Sequence, residues 1–155
     1  VDSAKIDDLL LRSYSALLPP YYDADVLAAA LPLMVRSNPK LIASGRFLVA
    51  VLGDTVVGCG GWSTDTPGSG VIIPRVGHVR HFATDPAHLR KGIASAILSR
   101  CIGEARAAGL TTLDCFSTRA AEAFYASAGF VAIAQRNVML ADMVAFPAIE
   151  MRCAL

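Results

Sequence analysis

Residues 79–94, VRHFATDPAHLRKGIA, constrain this chain more than any other stretch. Val79, Phe82 and Ala83 belong to a run of buried-strand character that Asp85-Pro86 ends. A basic loop follows, in which Gly92 precedes a long helix with an apolar stripe. A strand that passes through a glycine-containing loop into a helix N-terminus is a ready anion site. The first-turn N–H groups have no acceptor within the helix, and the helix dipole adds partial positive charge. Arg90 and Lys91 place two cations where a phosphate would sit.

The flanking segments read as helices, a hairpin, and then strands alternating with helices. Ile6, Leu9, Leu10, Tyr14, Leu17 and Leu18 recur at helical spacing behind Asp2 or Ser3 as N-cap, and Pro19-Pro20 stops that helix. Asp23 can cap a second helix carrying Val26, Leu27, Ala30 and Leu31, which Pro32 ends or kinks. Asn38-Pro39 reads as cap and first residue of a short turn of helix closed by Gly45. Segments 47–52 and 55–62 flank Gly53-Asp54 as an antiparallel hairpin with a glycine-first turn. A loop rich in Gly, Pro, Ser and Thr spans 63–74, and a strand spans 76–84. Helix 91–108 carries Ile93, Ala94, Ile97, Leu98, Cys101, Ile102 and Ala105 on one face and stops at Gly109. Strand 112–116 leads to a short helix lined by Ala121, Phe124, Tyr125 and Ala128 and closed by Gly129-Phe130. Strand-like runs 131–140 and 148–155 finish the chain.

The fold class expected is α/β of the α+β type: a mixed, mostly antiparallel twisted sheet flanked by helices, with one crossover that carries the anion site. No GxGxxG follows a strand and no GxxxxGK[ST] occurs, which argues against dinucleotide-binding and P-loop folds. At 155 residues, 54% apolar and 17% charged, residues 1–155 read as one domain with a substantial core. The most apolar segment, 26–35, is too short to cross a membrane and contains Pro32. The chain opens on polar sequence, without the pattern of a signal peptide. A net charge of +1 argues against a nucleic-acid footprint. Cys59, Cys101, Cys115 and Cys153 are far apart with no CxxC. They read as small buried hydrophobes in a reducing, cytoplasmic compartment rather than as metal ligands.

This order of elements, together with two local patterns, resembles the GNAT superfamily of acetyl-CoA-dependent N-acetyltransferases over nearly the whole chain. The family's pyrophosphate loop, [QR]xxGx[GA], aligns with Leu89-Arg90-Lys91-Gly92-Ile93-Ala94. The pattern AxxxYxxxGF is present as Ala121, Tyr125, Gly129 and Phe130, with strand 112–116 between the two. The departures are Leu89 where Gln or Arg is usual and Thr118 where Asn is frequent. A further departure is helix-like sequence where the family has a first strand, so either that edge strand is missing from the sheet or the sequence is trimmed.

The resemblance implies a donor-binding core over about 46–155 and acceptor-side helices over about 1–45. It assigns the general acid that protonates the leaving thiolate to Tyr125. Phe82, Ala83 and Thr84 are implied to line the acetyl and pantetheine arm, with Ser117 and Phe124 as further contacts. The usual carboxylate base is missing from strand 76–84, which offers His78 and His81 instead. Alternation places His78 and Arg80 on one face and His81 on the other, and a neutral imidazole is a reasonable base. Asp114 is a further candidate for the base, or a charge partner for Arg80. Tyr14, Tyr21, Tyr22 and Trp62 are the aromatics available to an acceptor pocket for a cationic amine.

The function expected is transfer of acetyl from acetyl-CoA to a primary amine of a small molecule or peptide in a ternary complex. No metal, nucleic acid or membrane is required, and a homodimer through run 148–155 is possible by the same resemblance. The alternative is a non-catalytic acyl-CoA-binding module on the same fold. A nucleophilic Cys115 or Cys59 is disfavoured because no GxSxG-type elbow surrounds either.

Overall fold

The computed structural model describes residues 2–155, the side chain of Asp142 excepted. Three helices come first. Helix α1 (Ser3–Leu17) is capped by the Asp2 carboxylate, which accepts from the Ala4 N–H at 2.9 Å. Helix α2 (Ala24–Met34) runs two residues past Pro32 before it ends. Proline removes the N–H that would hold the preceding turn, so the helix loses its ladder within that turn. Helix α3 (Pro39–Ala43) starts from Asn38, whose side chain accepts from the Leu41 N–H.

Strands β1 (Phe47–Leu52) and β2 (Thr55–Ser63) form the expected hairpin, with Gly53 at φ +59° in the turn. Strand β3 (Val76–Thr84) pairs antiparallel with β2. A 3₁₀ turn over Pro86–His88 then leads into α4 (Ile93–Ala107), which begins with its apolar stripe, two residues after the expected start at Lys91, because Gly92 is its cap at φ +79°. Strand β4 (Thr112–Ser117), α5 (Glu122–Ser127), β5 (Val131–Met139) and β6 (Ala145–Ala154) complete the order.

The six strands lie in the order β1-β2-β3-β4-β6-β5, all neighbours antiparallel except β3 with β4. The expected mixed, mostly antiparallel sheet is therefore what forms, and among the described residues no strand precedes α1. One face is covered by α4 and α5, where Trp62, Val79, Leu98, Cys101, Leu113 and Met151 are buried. On the other face Ile6, Leu9 and Leu10 of α1 pack on Val56, Cys59 and Ala83.

Strand β6 is paired on both sides, by β4 and β5, so the apolar run 148–155 has no free edge for a partner. The outer strand at that end of the sheet is β5, which exposes Val131, Ile133 and Met139. No helix among the described residues is long and apolar enough to cross a membrane.

Close packing of α4 on β2 depends on Gly58, where an added Cβ would lie 2.4 Å from Ile93 Cγ2 and 3.4 Å from Ile97 Cδ1. Overpacking of this kind costs about 1–3 kcal/mol. Gly58→Ala should lower the urea midpoint accordingly, and an unchanged midpoint would show that α4 can lift freely from the sheet.

Candidate functional site

Strands β3 and β4 are paired over only three rungs, Val76–Thr112, Gly77–Leu113 and His78–Asp114. Beyond them the two strands separate. Strand β3 carries a bulge there: its register against β2 shifts between Cys59 and Gly61, and His81 takes φ +57°. A bulge bends its strand and leaves backbone groups outside the ladder. Two bonds hold the distortion, from Cys59 Sγ to the His81 carbonyl at 3.2 Å and from the Tyr14 hydroxyl to the Phe82 carbonyl at 3.3 Å.

The gap opens into a cleft of about 480 Å³. Its walls come from α1 (Ser13, Tyr14, Leu17), β3 (Phe82, Ala83, Thr84) and α5 (Phe124, Tyr125). Its mouth is the turn into α4, with Leu89, Arg90, Gly92, Ile93 and Ala94. In that turn Arg90 has φ +59° and Gly92 +79°, and Gly92 through Ser95 at the start of α4 line the cleft. The turn is held from behind by Asp85. The Ala87 N–H and then Arg12 of α1 lower its pKa below the ordinary carboxylate value, so the Arg12–Asp85 ion pair ties α1 to the loop.

Tyr125 is buried in an aromatic cage, with ring centroids 6.1 Å from Phe82, 5.1 Å from Phe124 and 5.4 Å from Phe130. Burial raises its phenol well above the ordinary value, so it is protonated at every working pH. Ser13 escaped the sequence reading. It is 1% exposed, lines the cleft, and its Oγ has no partner among the described residues. The signal was a polar residue inside the apolar stripe of α1, four residues after Leu9 and four before Leu17.

Several expected residues stand elsewhere. Ser117 is buried and its hydroxyl donates to the Thr118 carbonyl at 2.7 Å, so Thr118, not Ser117, lines the cleft. Lys91 lies outside the cleft lining, with Nζ 3.1 Å from His88 Nδ1. His78 lies in the zipped part of β3, with Nε2 3.2 Å from Thr66 Oγ1 and Nδ1 buried without a partner. It does not reach the cleft. Asp114 is held bidentately by Arg152 at 2.8 and 2.9 Å, while Arg80 faces Asp65 at 3.7 Å.

His81 departs from simple alternation. The bulge turns it toward the N-terminal helices, the same side as Arg80, because one extra residue in a strand shifts the phase of every side chain around it. It lines a second hollow of about 700 Å³ with Tyr14, Leu33, Met34, residues 36–40 and Leu140. Tyr14 borders both hollows. Burial, and then Arg80, lower the His81 pKa to about 4.

The remaining aromatics do not gather round an acceptor. Tyr22 stacks on Phe146 at 4.6 Å, donates to the Pro147 carbonyl and accepts from the Arg119 N–H, bracing the α1–α2 turn. Tyr21 is exposed and its carbonyl takes an Arg119 bond. Trp62 is buried against α4, with its indole N–H on Glu104 at 3.1 Å and Arg46 over its ring. All four cysteines are buried thiols, and burial pushes Cys59, Cys101 and Cys115 up to about 12, far from a nucleophilic thiolate. No group of three metal-ligating side chains occurs among the described residues.

The site is a cleft between two parting parallel strands, with a helix N-terminus at its mouth and a phenol at its base. The chain belongs to the acetyltransferase (GNAT) family, whose sequence model matches residues 4–130. Among solved structures it is similar to a GCN5-related N-acetyltransferase from Rhodopseudomonas palustris (TM-score 0.74, 18% identity, 99% of this chain and 90% of that one). The PaiA N-acetyltransferase from Thermoplasma acidophilum, solved in complex with coenzyme A, aligns with a TM-score of 0.70 and 13% identity over 99% and 93% of the two chains. A ribosomal-protein-alanine N-acetyltransferase from Brucella melitensis aligns at 0.61 and 18% over 100% and 97%. Among curated proteins none matches the sequence.

His81, half-buried with its Nδ1 shielded from solvent, makes stability depend on pH. An unfolded histidine takes a proton below about 6.5, whereas His81 stays neutral down to about 4. Its contribution to stability is therefore intact above pH 6.5 and lost as pH falls toward 4, at about 1.4 kcal/mol per pH unit. His81→Asn tolerates the left-handed φ and cannot titrate. Urea unfolding between pH 6 and 4.5 should lose about that much of its slope in the variant, and an unaltered slope would mean that His81 titrates normally.

Proposed function

We propose that this protein is an N-acetyltransferase that moves acetyl directly from acetyl-CoA to a primary amine, with both substrates bound at once. The observation that carries the reading is the place of Tyr14, which borders both the donor-shaped cleft and a separate hollow without any covalent nucleophile between them. The donor side fits coenzyme A by its chemistry. First-turn amides of α4 and Arg90 face the place of a pyrophosphate, and the apolar walls suit a pantetheine arm. The orphaned Ser13 hydroxyl offers a donor to a polar group of that arm. The coenzyme A complex of the PaiA relative supports the same use of this cleft.

Acyl transfer requires a polarised carbonyl, a neutral amine and a proton for the departing thiolate. Backbone N–H groups freed by the β3 bulge at 81–83 can donate to the thioester oxygen, as oxyanion donors do elsewhere. Tyr125 gives its proton to the thiolate. In water a phenol near 10 is a weaker acid than a thiol near 8.5, but the apolar cleft raises the pKa of a thiolate as it raises that of a phenolate, so the transfer is not penalised by burial. His81 replaces His78 as the imidazole near the amine. Kept neutral, it accepts a hydrogen bond from the amine and hands the proton on to water rather than storing it.

The competing reading is a non-catalytic acyl-CoA-binding module, since no carboxylate lines either hollow among the described residues. Tyr125→Phe separates the two. It should leave acetyl-CoA binding, followed by calorimetry, within about twofold, and lower kcat by about 10²–10⁴, the usual worth of a positioned acid. Coenzyme A binding by the wild-type chain with no thiol release across a broad amine panel would establish the module instead.

A further inference from the structure

We propose that the amine acceptor carries its own negative charge, a carboxylate placed a few bonds from the nitrogen, and that Arg36 and Lys40 bind it. This deepens the N-acetyltransferase reading and rests on it. The hollow beside Tyr14 is the space from which an amine could approach the donor cleft, and its charged lining is entirely cationic among the described residues: Arg36 and Lys40. Neither has an ion-pair partner among them. The arginines that do form ion pairs are Arg12 with Asp8 and Asp85, Arg80 with Asp65, Arg100 with Glu104, Arg136 with Glu150 and Arg152 with Asp114.

The carboxylates around the hollow are engaged. Asp7 of α1 accepts the Ser37 N–H at 2.8 Å, and Asp65, in the adjoining groove that shares Asn38 and Lys40 with the hollow, faces Arg80. That groove adds Arg46, whose guanidinium lies 4.3 Å from the centre of the Trp62 ring. His81 at the inner end brings no charge, because its imidazole is neutral at working pH.

A polyamine or other multiply cationic amine entering this space meets two unpaired like charges in the lining and no carboxylate there, Asp7 beside it being bonded to the Ser37 N–H. An amine attached to a carboxylate places its anion on Arg36 and Lys40, and its nitrogen is left to face Tyr14 and His81. An arginine also grips a carboxylate through two parallel N–H bonds, which fixes orientation as well as charge. The expectation of a cationic-amine cage of aromatics is replaced by recognition of the anion next to the amine.

The test uses matched acceptors with the full chain and acetyl-CoA. One pair is a free amino acid and its carboxamide. A second is a C-terminally amidated tripeptide with Glu or Gln at its second position, and a diamine serves as the cationic extreme. The carboxylate member of at least one pair should show kcat/KM at least tenfold above its neutral partner. Preference in the first pair identifies free amino acids as the source, and preference in the second identifies acidic peptides. Arg36→Gln combined with Lys40→Gln should narrow that ratio to about threefold or less through KM for the acceptor, and Lys40→Glu should move preference toward the diamine. Both positions are exposed, so the variants should keep the wild-type urea midpoint. Equal kcat/KM within both pairs, or a preference for the diamine in the wild type, would overturn the inference while leaving N-acetyl transfer standing. Transfer to no amine at all, with coenzyme A still bound, would overturn the enzymatic reading and the inference with it.

Discussion

Strand β3 is asked to be two things at once. Up to His78 it is an ordinary inner strand, hydrogen-bonded on both sides. From there the bulge against β2 turns it away from β4, and a strip of backbone in the middle of the sheet loses its partner. A buried, unpaired backbone is expensive unless something else satisfies it. The fold tolerates it because the strip faces a cleft rather than packed side chains. The same bulge sets the position of His81 and brings the Phe82 carbonyl to the Tyr14 hydroxyl. The cleft at 82–84 and the hollow at His81 both follow from one distortion.

The rest of the architecture holds that distortion open. Helix α1 braces one side through Tyr14 and through the Arg12–Asp85 pair, which also anchors the turn leading to α4. Helix α4 seats its N-terminus closely against β2 at Gly58, so the amides at its first turn are fixed relative to the bulge. Helix α5 places Tyr125 at the base, where three phenylalanine rings confine it. Tyr125 and the first turn of α4 are thus mounted on different elements of one face, an arrangement that suits the proposed transfer between two bound substrates.

Two kinds of residue were legible in advance, and two were not. The loop 89–94 and the helix that carries Tyr125 were visible because their signals are local: a glycine at a helix start, a stripe at helical spacing, a Gly-Phe stop. The histidines were not resolvable, because strand alternation assumes that no residue is added. The extra residue of the bulge reverses the face of His81, while His78 stays in the paired part of β3. Tyr22 and Trp62 looked available as aromatics, yet each is consumed by contacts far along the chain, Tyr22 by Phe146 and Pro147 and Trp62 by Glu104. Ser13 was legible in principle, as a hydroxyl in an apolar stripe.

The sequence by itself determined the elements, their order and the anion-binding turn, because helix caps, glycine stops and apolar periodicity act over a few residues. It also determined the family, through two motifs that each lie within a single turn or helix. Only the tertiary structure decided which side chains share a space. That depends on the register between β2 and β3 and on the early parting of β3 from β4, both set by contacts between residues distant in the chain. A one-residue shift in a strand moves a side chain to the opposite face, and no local pattern in residues 79–94 records it.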